Sequence, residues 1–185
     1  MSRSPGPTRA ELEASATRTL EDLIAPGLRV LFCGINPGLY SGVTGHHFAR
    51  PGNRFWPALH LAGFTPRQLA PAEQGELLAL GYGITNLVAR ITARADELAP
   101  EELVAGGLRL DEKLATYRPR ALAVLGVTAF RSAFGQPRAT LGRQPGRQGV
   151  AVWVLPNPSG LNAHYQLADL ARVYAELRLA VEQGQ

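Results

Sequence analysis

The chain has 185 residues, 45% of them hydrophobic and 18% charged, and its formal net charge is +4. This length suits one domain with a buried core, and the composition excludes a disordered or coiled-coil protein. No apolar stretch approaches the roughly 20 residues of a membrane span, and the polar N-terminus lacks the apolar segment of a signal peptide. A single cysteine, Cys33, excludes an internal disulfide and fits a reducing compartment, so we expect a cytoplasmic protein without a membrane partner.

The positive charges are almost all arginines, and Lys113 is the only lysine. A basic balance favours a polyanionic partner such as nucleic acid, because each cation that neutralises a phosphate releases counterions. A general compositional preference for arginine explains the same balance equally well. His46 and His47 are adjacent and no second pair at ligand spacing accompanies them, so we expect no metal site.

Hydrophobic periodicity and turn residues divide the chain into alternating helices and strands. In chain order, the pattern predicts a helix at 8–24, a strand at 29–33, a long loop at 39–56, helices at 53–62 and 66–80, a strand at 83–88, a helix at 100–117, a strand at 121–125, a helix at 127–134, a strand at 150–155 and a helix at 165–183. Strands that alternate with helices pair in parallel through right-handed crossovers. We therefore expect a three-layer α/β/α sandwich with a central, mainly parallel sheet of about four strands.

Two segments that follow predicted strands are rich in Gly, Pro and Asn: residues 34–38 (GINPG) and residues 156–162 (PNPSGLN). Ligands bind beyond the carboxyl ends of the strands in such sheets, so we expect both segments to meet over one crevice. The first segment matches neither of the common phosphate-binding sequences, but Asn36 offers one acceptor and two donors without charge. A simple strand exit without function is the alternative interpretation.

Apolar and basic side chains near these segments have two interpretations each. Phe48, in the predicted loop, could stack on a flat ligand or pack in the core. Leu161 is an isolated apolar residue at a surface turn, which is common, but at a DNA-facing crevice it could wedge into the base stack. Arg143 and Arg147 lie in a stretch without acidic residues and could contact phosphates or simply be solvated.

Four stretches together resemble the mismatch-specific uracil-DNA glycosylases and the related thymine-DNA glycosylases. They are LFCGINPG (31–38), TGHHFARPGNRFW (44–56), GITNLV (83–88) and LPNPSGLN (155–162). The resemblance runs from about Leu23 to Arg178. It divides the chain into an N-terminal extension with a helix, residues 1–22, and a single uracil-DNA glycosylase-like domain, residues 23–185.

The resemblance implies a monomeric repair enzyme that acts on double-stranded DNA with G:U or G:T mispairs. It would flip uracil or mismatched thymine out of the duplex and hydrolyse the N-glycosidic bond, leaving an abasic site, without a cofactor. It implies that Asn36 positions the attacking water, that Phe48 stacks on the base, that the backbone at Ile35 reads the uracil edge, and that Ser41 lies in the base-pocket loop. The implied intercalating and mismatch-reading residues are Asn157, Ser159, Gly160, Leu161 and Asn162.

Two points of this interpretation remain open. The resemblance implies a cation for phosphate contact after Leu161, but Asn162, Ala163 and His164 stand there, so Arg143 or Arg147 would have to contact the phosphates. An amide such as Asn36 can orient water but cannot deprotonate it. Asp96 is the candidate for a general base or for stabilising the sugar cation, and it could equally cap the helix that begins near Pro100.

Two alternative functions also stay open at this stage. One is a glycosylase of the wider superfamily that acts on another damaged base. The other is a non-catalytic module that binds distorted duplexes. The first would release a different base, whereas the second would bind G:U duplexes and release none.

Overall fold

The computed structural model describes residues 6–185, which form one five-stranded sheet covered on both faces by helices. The strands are β1 (Val30–Gly34), β2 (Tyr82–Asn86), β3 (Ala121–Leu125), β4 (Gly142–Arg147) and β5 (Val150–Leu155). Their order is β2-β1-β3-β5-β4, and all neighbours are parallel except β4 and β5. The predicted α/β/α sandwich with a mainly parallel central sheet is therefore confirmed, with one strand more than expected.

Helices cover the sheet in two layers. Their bounds are α1 (Arg9–Ala14), α2 (Leu39–Thr44), α3 (Phe55–Leu61), α4 (Glu76–Ala79), α5 (Pro100–Tyr117), α6 (Val127–Phe134) and α7 (Leu167–Glu182). Because successive side chains of a strand point to opposite faces, Phe32 of β1 packs in the core under α3 and α7, and Leu31 packs in the core under α5 and α6. None of the described helices is long and apolar enough to cross a membrane.

Two predicted helices are shorter than expected. The one predicted at 8–24 consists of α1 and a 3-10 turn at Ser15–Thr17, and Leu23 instead exchanges backbone hydrogen bonds with Ile84 of β2. The one predicted at 66–80 is reduced to a 3-10 turn at Pro71–Glu73 and to α4. Proline lacks a backbone N–H, so Pro71 begins a new turn where a continuous helix would need a donor.

Two elements were missed by the sequence prediction. Helix α2 lies inside the predicted long loop, and only six residues separate its flanking glycines Gly38 and Gly45. Strand β4 contains Pro145, and its pairing with β5 is irregular between Gln144 and Arg147. Proline is tolerated at a sheet edge, where its missing N–H interrupts no central ladder. The sequence of β4 has the composition of a turn, so hydrophobic periodicity does not predict this edge strand.

The segment before residue 23 packs against α2. The Ser15 side chain is fully buried, and its hydroxyl donates to the Leu39 carbonyl at 2.9 Å. A Cβ on Gly42 would lie 3.0 Å from the Ser15 hydroxyl, so the two backbones approach closely. Residues 1–5 of the predicted extension lie outside the described residues, and the division of the chain at residue 22 stays a prediction.

Gly106 lets α5 approach the backbone that follows β2, so a side chain there should destabilise the fold. A Cβ on Gly106 would lie 2.3 Å from the Leu87 carbonyl oxygen. We expect Gly106→Ala to lower the free energy of unfolding by about 1–3 kcal/mol, because overpacking outweighs the better helix propensity of alanine. Urea denaturation measures this difference.

Gly75→Ala is the matched control for Gly106→Ala. Nothing lies within 4 Å of a Cβ on Gly75, and its backbone is already right-handed helical with φ −59°. This change should leave stability equal or slightly higher. Equal stability of the two variants would contradict the close approach at Gly106.

Candidate active site

A cavity of about 160 Å³ lies at the carboxyl ends of the parallel strands. Its lining includes the 34–38 loop after β1, Asn86 at the end of β2, Leu125 at the end of β3, and Asn157 and Ser159 after β5. The structure thus brings together the two Gly-, Pro- and Asn-rich segments of the sequence. The volume is several times the roughly 30 Å³ that one water molecule occupies in the liquid, so the cavity can admit a small organic group.

The side chain of Asn36 is held in one orientation at this cavity. Its amide nitrogen donates to the Arg90 carbonyl at 2.8 Å and to the Thr92 hydroxyl at 2.7 Å. A carbonyl oxygen only accepts, so the contact with Arg90 settles which end of the amide carries the hydrogens. The amide oxygen is left without a protein donor among the described residues, and it can accept a hydrogen bond from water.

The segment that holds Asn36 is itself anchored to α5. The Arg90 guanidinium donates two hydrogen bonds to the Glu102 carboxylate, at 2.8 and 2.9 Å, and these bonds lower the pKa of Glu102 to about 2. Thr92 is buried, and its hydroxyl donates in turn to the Arg94 carbonyl at 2.7 Å. Sequence reasoning did not find Thr92, because a lone threonine after a strand has no distinguishing pattern.

Phe48 and Ser41, both predicted to bind the base, line the cavity. The Phe48 ring stacks on Phe55, with ring centroids 4.1 Å apart, so one face of the ring is occupied by the core. Its φ of 51° is unusual for a residue other than glycine, and such strain is typical of functional sites. Ser41 is buried in α2.

Ile35 lines the cavity as well, but its carbonyl is already engaged, because it accepts from the backbone N–H of Val88 at 2.9 Å.

Asn86 also lines the cavity, although the sequence analysis did not single it out. A Cβ on Gly34 would lie 2.6 Å from the Asn86 amide oxygen and 3.3 Å from the Phe48 ring, so glycine is required to leave this space open. The Asn86 side chain has no hydrogen-bond partner among residues 6–185, which leaves both a donor and an acceptor for a ligand. Its position at a strand end was the signal that could have identified it.

His47 contributes a neutral ring to the cavity wall. Burial lowers its pKa, and its Nε2 lies 2.8 Å from the Glu21 carbonyl. Since the carbonyl only accepts, Nε2 carries the proton. The ring therefore adds no charge to the cavity at neutral pH.

The 157–162 loop is ordered by its own short polar side chains. The Asn157 amide oxygen accepts from the Ser159 backbone N–H at 2.9 Å, and the Asn162 amide donates to the Asn157 carbonyl at 3.0 Å. These bonds leave Leu161 at the apex with 73% of its surface exposed. A large apolar side chain is thus held in solvent by a loop that has little freedom to bury it.

Arg54, which precedes α3, ties this loop to the cavity. Its guanidinium donates to the carbonyls of Ser159, Asn162 and Tyr165, and its backbone N–H donates to the Pro158 carbonyl. Sequence reasoning placed Arg54 at a helix start and assigned it no role, because its acceptors are backbone atoms more than 100 residues away.

The model of the Uracil DNA glycosylase superfamily matches residues 21–178, which include the 34–38 loop, Asn86 and the 157–162 loop. The chain belongs to this superfamily. It is therefore a DNA glycosylase, a hydrolase with a DNA substrate. The cavity and the loop that carries Leu161 lie at the carboxyl ends of its four parallel strands.

Asp96 is not brought to the cavity of this glycosylase. Its carboxylate pairs with Arg94 at 3.0 Å and is largely exposed. It does not cap α5 either, because Glu102 accepts from the Ala99 backbone N–H at that helix start. The catalytic role predicted for Asp96 thus has no support from its position, and no carboxylate of the described residues lines the cavity.

The two arginines predicted to contact phosphates differ in position. Arg147 donates to the Asp111 carboxylate at 2.8 and 2.5 Å, and it lies over the Phe134 ring, far along β4 from the cavity. These contacts leave it poorly placed for a phosphate. Arg143 pairs in register with Trp153, near the carboxyl end of β5, and is exposed. Within residues 6–185 no cluster of three or more metal-ligating side chains is found.

Thr92 should act as a positioning residue for Asn36. In Thr92→Val the hydroxyl that accepts from the Asn36 amide is lost at nearly constant volume. One net hydrogen bond contributes about 1 kcal/mol, so we expect kcat on a uracil-containing oligonucleotide to fall about 5-fold with little change in KM. Single-turnover excision assays measure this split.

Thr92→Ser, which keeps the hydroxyl, is the control and should retain near wild-type kcat. Circular dichroism melting verifies that both variants fold. A Thr92→Val enzyme with unchanged kcat would show that the orientation of Asn36 does not depend on this contact.

Proposed function

We propose that this glycosylase removes uracil, and mismatched thymine, from G:U and G:T mispairs in double-stranded DNA, leaving an abasic site. The observation that carries the proposal is the exposed Leu161, held by an ordered loop beside a cavity that offers polar groups to a base. An enzyme that acts on single nucleotides has no use for such a side chain. An enzyme that extracts a base from a stack needs both features at once.

The first step is extrusion of the base. Leu161 enters the stack from the 157–162 loop and fills the place that the flipped base has left. Opening a base pair requires a few kcal/mol and is easiest where pairing is already weak. A mispaired uracil or thymine is therefore a better substrate than a properly paired one, even if the cavity binds both equally.

The second step is recognition of the base in the cavity. Phe48 presents its free face to the pyrimidine ring, since its other face stacks on Phe55. Asn86 offers a donor and an acceptor, which suits the adjacent carbonyl and N–H groups along the edge of uracil. A donor directed at a pyrimidine oxygen also stabilises the negative charge that develops on the leaving base.

The third step is attack by water. The free amide oxygen of Asn36 accepts a hydrogen bond from a water molecule and so directs it at the sugar. Because an amide is not a base and no described carboxylate lines the cavity, the departure of the base must run ahead of the attack. A sugar with oxocarbenium character is electrophilic enough to capture neutral water, and the proton that this water loses neutralises the departed anionic base.

The decisive experiment uses duplexes that differ only in one pair: G:U, A:U, G:T and G paired with hypoxanthine, together with single-stranded uracil. Alkali converts each abasic product into a strand break. We expect cleavage to be fastest for G:U and slower for G:T. Asn36→Ala should reduce kcat by about 10²-fold or more, because the water loses its position while the cavity keeps its walls.

Other outcomes of the same panel would identify other functions. Preference for hypoxanthine would indicate a glycosylase for a different damaged base. Binding of G:U duplexes without any strand breaks would indicate a non-catalytic module. Equal rates on A:U and G:U would refute the mismatch preference.

Leu161→Ala tests the wedge separately from the cavity. We expect excision from duplexes to fall about 10-fold or more, since a buried leucine side chain contributes about 1.5–3 kcal/mol. Excision from single-stranded DNA should be unchanged, because there is no stack to fill. Leu108→Ala, on α5 and 65% exposed, is the matched control and should behave as wild type. An equal loss on both substrates would contradict a role in the stack.

A further inference from the structure

We propose that Arg50 binds the DNA backbone phosphate next to the flipped nucleotide; this assignment rests on the proposed function. Directly after Leu161 the chain has Asn162, Ala163 and His164, and no arginine or lysine. The structure places Arg50 in the 50–53 turn, which faces the 157–162 loop.

Arg50 lies between the two parts of the site. A second cavity, of about 280 Å³, is lined by the 50–53 turn and by Ser159, Gly160 and Leu161. Among residues 6–185, only Arg50, Asn53 and Ser159 line both this cavity and the one that holds Asn36 and Phe48. Arg50 is the only charged residue of the three.

The path of the DNA backbone follows from these two cavities. The flipped base lies in the first cavity, and Leu161 fills the position that the base has left. The sugar and phosphate of that nucleotide must then span the distance between the first cavity and Leu161. Any side chain that lines both cavities lies along this span.

The charge of Arg50 is free for such a contact. Arg50 is exposed, and its guanidinium makes no ion pair or hydrogen bond with any of residues 6–185. The other arginine that lines the first cavity, Arg94, pairs with Asp96. No aspartate or glutamate of the described chain lines either cavity, so nothing nearby neutralises Arg50 or repels a phosphate.

The close packing of the 50–53 turn fixes the position of the Arg50 backbone, from which the guanidinium extends. The Arg50 carbonyl accepts from the Asn53 backbone N–H at 3.0 Å, and a Cβ on Gly160 would lie 2.8 Å from the Gly52 carbonyl oxygen. The turn therefore lies against the 157–162 loop, and the Arg54 backbone N–H, which follows the turn, donates to the Pro158 carbonyl at 3.0 Å. This bond keeps Arg50 next to the nucleotide that Leu161 displaces.

The test measures binding rather than excision, on a duplex that carries a tetrahydrofuran abasic-site analogue opposite guanine. Loss of one phosphate contact reduces the slope of log affinity against log salt by about 0.9. We expect this reduction in Arg50→Gln, so that the affinity ratio to wild type changes about 3.5-fold between 50 and 200 mM KCl. Arg50→Lys should keep the slope.

Arg120→Gln is the matched control. Arg120 is also exposed but directly precedes β3, at the end of the parallel strands opposite the cavity, so the slope of Arg120→Gln should equal that of wild type. Thermal melting should show equal stability for all of these variants. An unchanged slope in Arg50→Gln would overturn the assignment while leaving the proposed function intact, whereas a wild-type protein that binds no DNA would overturn both.

A second measurement locates the phosphate. Replacing one of the two phosphates that flank the analogue with a neutral methylphosphonate removes its charge. If Arg50 contacts that phosphate, the effects of Arg50→Gln and of the neutral linkage are not additive, because either change alone removes the same contact. Additive effects at both flanking positions would refute the placement.

Discussion

The guanidinium of Arg54 is surrounded by backbone carbonyls instead of carboxylates. These contacts set the distance between the cavity and the 157–162 loop, the two parts of the candidate site. A carbonyl carries only a partial charge, so a single one would not hold an arginine away from water. Several together make charge-assisted bonds that contribute about 1.5–3 kcal/mol each. The 157–162 loop consequently has a fixed position relative to the turn that begins α3, and Leu161 has a fixed position relative to the cavity.

On the other side of the cavity, Asn36 is also held in place by residues from elsewhere in the chain. The orientation of the Asn36 side chain depends on a carbonyl and a hydroxyl of the segment that follows β2. That segment is held in place by the ion pair between its own Arg90 and Glu102, which lies at the start of α5. Both halves of the site are therefore loops that are held by distant parts of the chain. The parallel sheet makes this possible, because it brings the strand ends to one edge while the helices behind them supply the anchors.

This arrangement explains which features could be predicted from the sequence. The alternation of strands and helices, the crevice at the strand ends, and the meeting of the 34–38 and 157–162 segments follow from local patterns and from topology. The anchors do not. Arg54, Thr92 and Asn86 are ordinary residues in the sequence. Arg54 acquires its role from backbone carbonyls more than 100 residues away, Thr92 from the Asn36 side chain, and Asn86 from its place in the cavity wall.

The predictions for Asp96 and Arg147, which the positions of these side chains do not support, have the same origin. The chemistry favours a carboxylate and Asp96 follows the β2 exit, but a three-residue 3-10 turn, Ala95–Glu97, directs the Asp96 side chain to Arg94 and solvent. The charge of Arg147 suggests a phosphate contact, yet its guanidinium already pairs with Asp111 and stacks over the Phe134 ring. Charge alone does not identify a DNA contact, because its availability depends on neighbours that the sequence does not order.

The absence of a carboxylate from the described lining of the cavity also bears on how the proposed enzyme would select its substrate. A strong base would speed the attack on every base that enters, including properly paired ones that open only briefly. A site that only orients water and stabilises the leaving base relies on how long the base stays in the cavity. Residence then depends on Leu161 and on the weakness of the original pair, so discrimination arises largely in the duplex, before any bond is broken.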